Sequence, residues 1–263
     1  MSLLTKQETK RRLLQSLPDS DMLSALVSQW FQSAQGITVL ESERKIVNSL
    51  IERMFGYHIL QVGCSDEISL INESPVGHKI IFASQFRVGE GGAVANNEEL
   101  PLANDSIDVI LIHHALDFTE NSHRLLREVT RVLRPGGQLI IVGFNPWSYW
   151  GLWKFFNRKI NIPWCGRFIS KRRLSDWLQL LDLQIESTSY GLHFLPFKFS
   201  KLLKSSDKIE KFGNRIKSPL GGAYFISCVK RVLPLTPLIP RWKPMRAGAT
   251  AMPAAENIRA KIH

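Results

Sequence analysis

Residues 100–142, LPLANDSIDVILIHHALDFTENSHRLLREVTRVLRPGGQLIIV, read without a gap as turn, strand, helix, turn and strand. Asn104, Asp105 and Ser106 are turn formers. The apolar run Ile107 to Ile112 follows them, short and rich in β-branched residues, which suits a buried strand better than a helix. From Asn121 to Leu133 the apolar residues Leu125, Leu126, Val129, Val132 and Leu133 recur at helical spacing. Arg124, Arg127, Glu128, Arg131 and Arg134 take the opposite face, so the segment predicts an amphipathic helix. Pro135-Gly136-Gly137 stops that helix before a second apolar run, Leu139 to Val142. Two buried strands joined by an amphipathic helix make a parallel crossover, hence an α/β protein with a largely parallel sheet.

Two strings in this stretch, LPL.NDSIDVIL.HHAL.F and LLREVTRVLRPGGQLIIVGF, resemble the second half of the class I S-adenosylmethionine-dependent methyltransferase domain of the type 11 kind. The resemblance extends over roughly residues 55 to 231 and is densest from 98 to 144. It implies a Rossmann-like fold with a mostly parallel seven-stranded sheet and an antiparallel last strand. It also implies S-adenosyl-L-methionine as cofactor and methyl transfer as the reaction. Such transfer is an in-line displacement on a sulfonium methyl, for which alignment of the nucleophile is the main requirement, so no metal is expected.

The same resemblance distributes candidate cofactor residues along the chain. A first strand, His58 to Val62, leads into Gly63-Cys64-Ser65-Asp66, where the family has its glycine-rich loop. Gly63 is kept there, while Gln61 replaces the usual acidic residue and Ser65 and Glu67 replace glycines. A second strand, Lys79 to Ala83, ends at Ser84 where the family has a carboxylate for the ribose hydroxyls. Asn96 and Asn97 fall where an acidic residue meets the adenine, although asparagines in a loop also favour turns on their own account. His113 closes the strand 107–112 and joins this cofactor set. His114 and Asp117 follow it, at the strand end where open α/β sheets bind ligands. They are the candidate proton-handling pair, with packing or capping as the plainer alternative. His-x-x-x-Asp has no visible third ligand and predicts no metal site.

Composition narrows the class further. The chain has 263 residues, ordinary apolar and charged fractions and no apolar run near the ~18 residues of a membrane span. The start, MSLLTKQETKRRLL, lacks an apolar leader core, and Cys64, Cys165 and Cys228 lack paired or ligand spacing. These features predict reduced thiols in a cytoplasmic protein. Residues 1–150 hold 13 Lys or Arg against 17 Asp or Glu, whereas the rest hold 21 against 6. That basic half favours an anionic partner, such as an anionic acceptor, RNA or an anionic membrane.

Around the central domain, 56–232, the reading places two cap helices in 1–55, at Asp19 to Ser33 and Val39 to Met54, and assigns them no chemistry. Gly36 is read as the break between them. Asn145-Pro146 is read as a turn, and the aromatic cluster Trp147, Tyr149, Trp150, Trp153, Phe155 and Phe156 as packing. Lys171, Arg172 and Arg173 open a helix against its dipole, which suggests a use other than helix stability. Within a basic insertion at about 191–220, Lys198, Lys201, Lys204, Lys208, Lys211 and Arg215 form a basic amphipathic face suited to RNA or an anionic membrane. Residues 233–263 are expected to be a flexible proline-rich tail. The function expected is methyl transfer to an unidentified acceptor, with transfer to a lipid or quinone at an anionic membrane as a further reading. The alternative is a catalytically inactive fold that binds RNA or a protein through its basic half.

Overall fold

The apolar runs become one sheet. The computed structural model describes residues 20–65, 67–82, 98–156, 162–194 and 219–231. In chain order these contain α1 (Ser20–Phe31), α2 (Ala34–Ile51), β1 (His58–Gly63), β2 (His78–Ile81), β3 (Ile107–His113), α3 (Ala115–Phe118), α4 (Ser122–Val132), β4 (Leu133–Phe144), α5 (Tyr149–Phe156), α6 (Lys171–Gln179), β5 (Leu183–Gly191) and β6 (Ala223–Lys230). Among the described residues the sheet has six strands in the order β2-β1-β3-β4-β6-β5. The pairs β1–β2, β1–β3 and β3–β4 are parallel, and β6 runs antiparallel to both β4 and β5. The seven strands of the sequence reading are therefore six here, and residues 83–97, between β2 and β3, lie outside the described residues.

Both sheet faces are covered, which is why β3 reads as a continuous apolar run. One layer packs Leu125, Leu126, Val129 and Val132 of α4 with Leu174 and Leu178 of α6 onto Leu60, Ile110, Ile112 and Ile141. The other packs Val27 and Phe31 of α1 and Val39, Val47 and Ile51 of α2 onto Ile59, Val109, Leu111 and Ile140. The N-terminal helices thus share the core of the sheet. Their junction differs from the sequence reading. Ser33 is the N-cap of α2, its hydroxyl accepting from Gly36 N–H, so the break falls at Gln32-Ser33 and Gly36 lies in the first turn. A side chain at Gly36 would strike the Trp30 carbonyl, its Cβ coming within 2.1 Å.

The central motif owes its spacing to a set of polar ties. Arg131 donates to Glu128 on its own helix and to the carbonyls of Leu100 and Leu102, drawing the LPL segment against α4. The helix ends one residue earlier than its apolar pattern suggests, because Leu133 already pairs with Ile107 as the first residue of β4. Four residues, Arg134 to Gly137, then bulge before Gln138 pairs with Val109. Gly136 takes φ +78° there, a conformation that side chains strain to adopt. Asp108 completes the corner. Its carboxylate accepts from Tyr57 N–H, His58 N–H and Arg134, contacts that hold its pKa below the ordinary value against the opposing effect of burial.

Candidate active site

Strand order locates the site. The chain leaves β1 toward β2 on one side and returns to β3 on the other, and ligands of open α/β sheets bind outside the carboxyl ends at such a reversal. Here those ends are Gly63 and His113, which pair directly. Gly63 turns so tightly that a Cβ would come within 2.8 Å of the Ser65 carbonyl. Gln61 shapes the loop that follows: its amide donates to the Ile68 carbonyl and accepts from Leu70 N–H at 2.8 Å. Both ends of that side chain are engaged, so Gln61 positions the loop. Cys64 N–H donates to the His113 carbonyl at 3.1 Å, and the Ser65 hydroxyl meets that of Ser28 on α1 at 2.5 Å.

Beneath this turn lies a charged cluster with no exposure to solvent. Glu43 of α2 accepts from His113 Nε2 at 2.9 Å and, through its other oxygen, from His114 Nε2 at 2.8 Å. His114 Nδ1 donates to Asp117 at 2.9 Å, and the same Asp117 oxygen accepts from Phe144 N–H at 3.0 Å. All four side chains are buried. Phe144 stacks on the His114 ring at 4.0 Å between centroids, and Phe31 lies tilted at 6.2 Å. An imidazolium between aromatic rings is well placed.

Each member is pushed its own way. Burial alone would lower the His114 pKa, but the Glu43 charge and the bonds to Asp117 and Glu43 raise it to about 9. For Glu43 burial acts upward and is overcome by the His114 charge and the two imidazole N–H groups, leaving it at about 2. Burial lowers His113, which stays neutral, and raises Asp117. With His113 donating through Nε2, its Nδ1 carries a lone pair. Glu43 is thus a carboxylate and His114 an imidazolium, an ion pair held inside the core.

These positions change the roles assigned from sequence. His114 and Asp117 were expected to handle protons at the ligand edge; both are sealed, and both nitrogens of His114 are committed to carboxylates. Neither is a general base in this arrangement. His-x-x-x-Asp offered no third ligand, yet Glu43 places three donor atoms within 4.8 Å of one another, the spacing a divalent cation requires. The histidine protons fill that space here. Glu43 is the functional residue that sequence reasoning missed. The signal was present: Val39, Val47 and Ile51 are spaced four and eight residues along a buried stripe, and Glu43 stands in its middle. Ser84, Asn96 and Asn97 lie outside the described residues, as do Lys198, Lys201, Lys204, Lys208, Lys211, Arg215 and the tail 233–263.

A second feature opens beside the end of β4. Asn145 accepts from Trp147 N–H and donates to the carbonyls of Pro219 and Gly221, so Asn145-Pro146 is the turn the sequence predicts. Next to it is a cavity of about 320 Å³ lined by Ser122, Trp147, Arg167, Phe168, Arg173, Trp177 and their neighbours. The aromatic cluster read as packing divides here. Trp150 is fully buried, but Trp147, Tyr149, Phe155 and Phe156 are exposed, Trp147 to 78%.

A parallel sheet closed by an antiparallel β6, with a turn-bearing Gly63 at the reversal, defines a Rossmann-like methyltransferase fold. Comparison with known proteins agrees. A family model described as methyltransferase domain matches residues 78–141. The chain is 34% identical over 201 residues to the uncharacterized protein YafS of Escherichia coli (strain K12), covering 74% of this chain and 76% of that one. Over 57 residues it is 43% identical to a malonyl-[acyl-carrier protein] O-methyltransferase of Methylococcus capsulatus, 22% of this chain and 21% of that protein. In structure it resembles a Thermotoga maritima S-adenosylmethionine-dependent methyltransferase described as a possible histamine N-methyltransferase. That likeness has a TM-score of 0.58 at 21% identity, covering 78% of this chain and 94% of that one. The chain belongs to one family with YafS, and its residues 78–141 are a stretch of the type 11 methyltransferase domain.

S-adenosyl-L-methionine is the expected cofactor of this class, and the tight turn at Gly63 fits the close backbone approach such a ligand needs. Gly63 is the position beside which such a ligand packs, since a Cβ there would already meet the Ser65 carbonyl.

Proposed function

We propose that this chain transfers the methyl group of S-adenosyl-L-methionine to an acceptor entering at the carboxyl edge of the sheet. The observation that carries the reading is the Gly63 turn at the reversal between β1 and β3, where a Cβ would meet the Ser65 carbonyl and the backbone is open to close approach. When bound, the cofactor supplies an electrophilic sulfonium methyl. The chain's own residues do the rest by placement. Gly63 leaves room for a close backbone approach, Gln61 holds the loop, and His113 steadies the turn through its carbonyl on Cys64 N–H. Ser84, Asn96 and Asn97 belong to the proposed ribose and adenine contacts.

The reading needs no general base from the buried cluster, since an acceptor that already carries a lone pair requires alignment above all. Calorimetric titration of S-adenosylmethionine and S-adenosylhomocysteine into the full-length protein tests it. Saturable binding at micromolar to sub-millimolar concentration is expected. An absence of heat and of thermal shift near millimolar cofactor would overturn it, and the inactive fold that binds RNA or protein through Lys198 to Arg215 would take its place.

A further inference from the structure

The cavity beside Trp147 has a chemistry that cofactor binding does not use. Arg167 and Arg173 border it, and both are exposed. Arg167 uses one guanidinium N–H on the Glu120 carbonyl at 2.9 Å, and Arg173 lies over the Trp177 ring at 5.0 Å. Neither has a carboxylate within ion-pair distance among the described residues. Basic side chains elsewhere on the domain do find such partners, as Arg131 does on Glu128, Arg134 on Asp108 and Lys230 on Asp105. The Ser170 hydroxyl caps α6 through Arg173 N–H, so the positive end of that helix opens at the same place, where Lys171 and Arg172 add further charge. These residues are the run whose position against the dipole had no use in helix stability.

Apart from Ser122 and Ser170, the rest of the lining is apolar. Trp147, Phe168 and Trp177 line it, and Ile169 is buried beside them. Beyond Trp147 the exposed side chains Tyr149, Leu152, Phe155 and Phe156 of α5 continue an apolar surface. An apolar pocket with a few convergent polar groups is the usual form of a small-molecule site, and planar guanidiniums match carboxylate and phosphate oxygens in pairs.

We propose that this cavity is the acceptor subsite and that it takes an amphiphile, an anionic carboxylate or phosphate on an aromatic or otherwise apolar body. Arg167 and Arg173 hold the anion, and Trp147, Phe168 and Trp177 hold the body. The assignment rests on the methyltransferase reading for the word acceptor, but the ligand chemistry rests on the cavity alone. Such an amphiphile reaches the site either free in solution or as a lipid whose headgroup enters the pocket.

Calorimetry with 1-naphthyl phosphate, 1-naphthol and inorganic phosphate on the full-length protein tests the ligand class. Naphthyl phosphate is expected to bind at least tenfold more tightly than either fragment, and more weakly as salt rises. Arg173→Ala and Arg167→Ala should each lower that affinity about tenfold or more, and Arg173→Lys by less. Trp147→Ala should weaken naphthyl phosphate and leave inorganic phosphate unchanged. Arg127→Ala, an equal loss of charge on an exposed face of α4, should change nothing. Naphthol binding as well as its phosphate, or affinity in both arginine variants unchanged from that of the unsubstituted protein, would overturn the proposal. Sedimentation with vesicles of phosphatidylglycerol in phosphatidylcholine separates the two sources, since only a lipid headgroup gives vesicle binding that Arg173→Ala abolishes. Titrating S-adenosylmethionine into the same samples keeps the two readings apart. Cofactor binding without naphthyl phosphate binding sinks this inference alone, and the reverse sinks only the methyltransferase reading.

Discussion

Two charged regions of this domain treat their charges in opposite ways. Under the β1–β3 reversal Glu43, His113, His114 and Asp117 are closed to solvent and answer one another, with separations of 2.8 to 2.9 Å. Beside the end of β4, Arg167 and Arg173 stand at the rim of an open cavity without a carboxylate partner among the described residues. The first arrangement tolerates burial because each charge meets an opposite one, at the cost of depending on all of them. The second keeps its charges in water, where they cost little to hold and remain available to a ligand. A charge satisfied within the fold holds helices to the sheet; one left unmet at a cavity is a means of recognition.

The comparison breaks most sharply at Glu43. Glu43→Ala breaks the buried ion pair with His114 and strips the acceptor from two buried imidazole N–H groups, on His113 and His114, a change that costs about 3–5 kcal/mol. For a domain of this size that is a fall in Tm of roughly 10 °C, read by differential scanning calorimetry. Arg173→Ala, by contrast, should move stability by no more than ~0.5 kcal/mol, because its charge is exposed. Equal losses in the two variants would show that the regions do not differ as described.

Gly63→Val is next in size and acts on binding. A Cβ at this position meets the Ser65 carbonyl at 2.8 Å, so the turn must open, and cofactor binding by calorimetry should disappear. Retained affinity would place the cofactor elsewhere.

The pH dependence of the closed region is smaller and carries a definite sign. The His114 pKa rises from 6.5 to about 9 on folding, so its contribution is complete below pH 6.5 and is lost as pH climbs through about 9. Glu43 falls from 4.5 to about 2, so its contribution is complete above pH 4.5 and lost as pH drops through about 2. Between about pH 4.5 and 6.5 both are in place. Thermal scans should show Tm falling from pH 6.5 toward 9, and His114→Gln should remove most of that alkaline slope. An unchanged slope would assign it to other groups. The smallest effect is expected at the surface, where Arg134→Ala breaks a half-exposed pair with Asp108 and should cost at most about 1 kcal/mol by chemical denaturation.

How much of this was legible in the sequence depends on the range of the interaction. The helix over Leu125, Leu126, Val129 and Val132 and the strand over Ile107 to Ile112 were readable because their periodicity is set within one segment. The bulge at Arg134 to Gly137 was partly readable, since Pro-Gly-Gly announces a stop but not that Leu133 already belongs to the next strand. The aromatic cluster was misread as packing because composition does not say which ring faces inward. Trp150 packs while Trp147, five residues beyond Val142 on the same chain, lines a cavity.

By itself the sequence determined the order of helices and strands, the parallel crossover, the resemblance to type 11 methyltransferases and the placing of Gly63 at the end of a strand. Each follows from side chains that act on their own segment. Only the tertiary structure decided that His114 is a buried imidazolium, because the carboxylate that charges it lies 71 residues away on α2. It also decided that Arg167 and Arg173 share a cavity with Trp147. A pKa and a pocket are both set by what surrounds a group in space, and a stripe of apolar residues carries a glutamate inward only when something on the far side of the core can hold its charge.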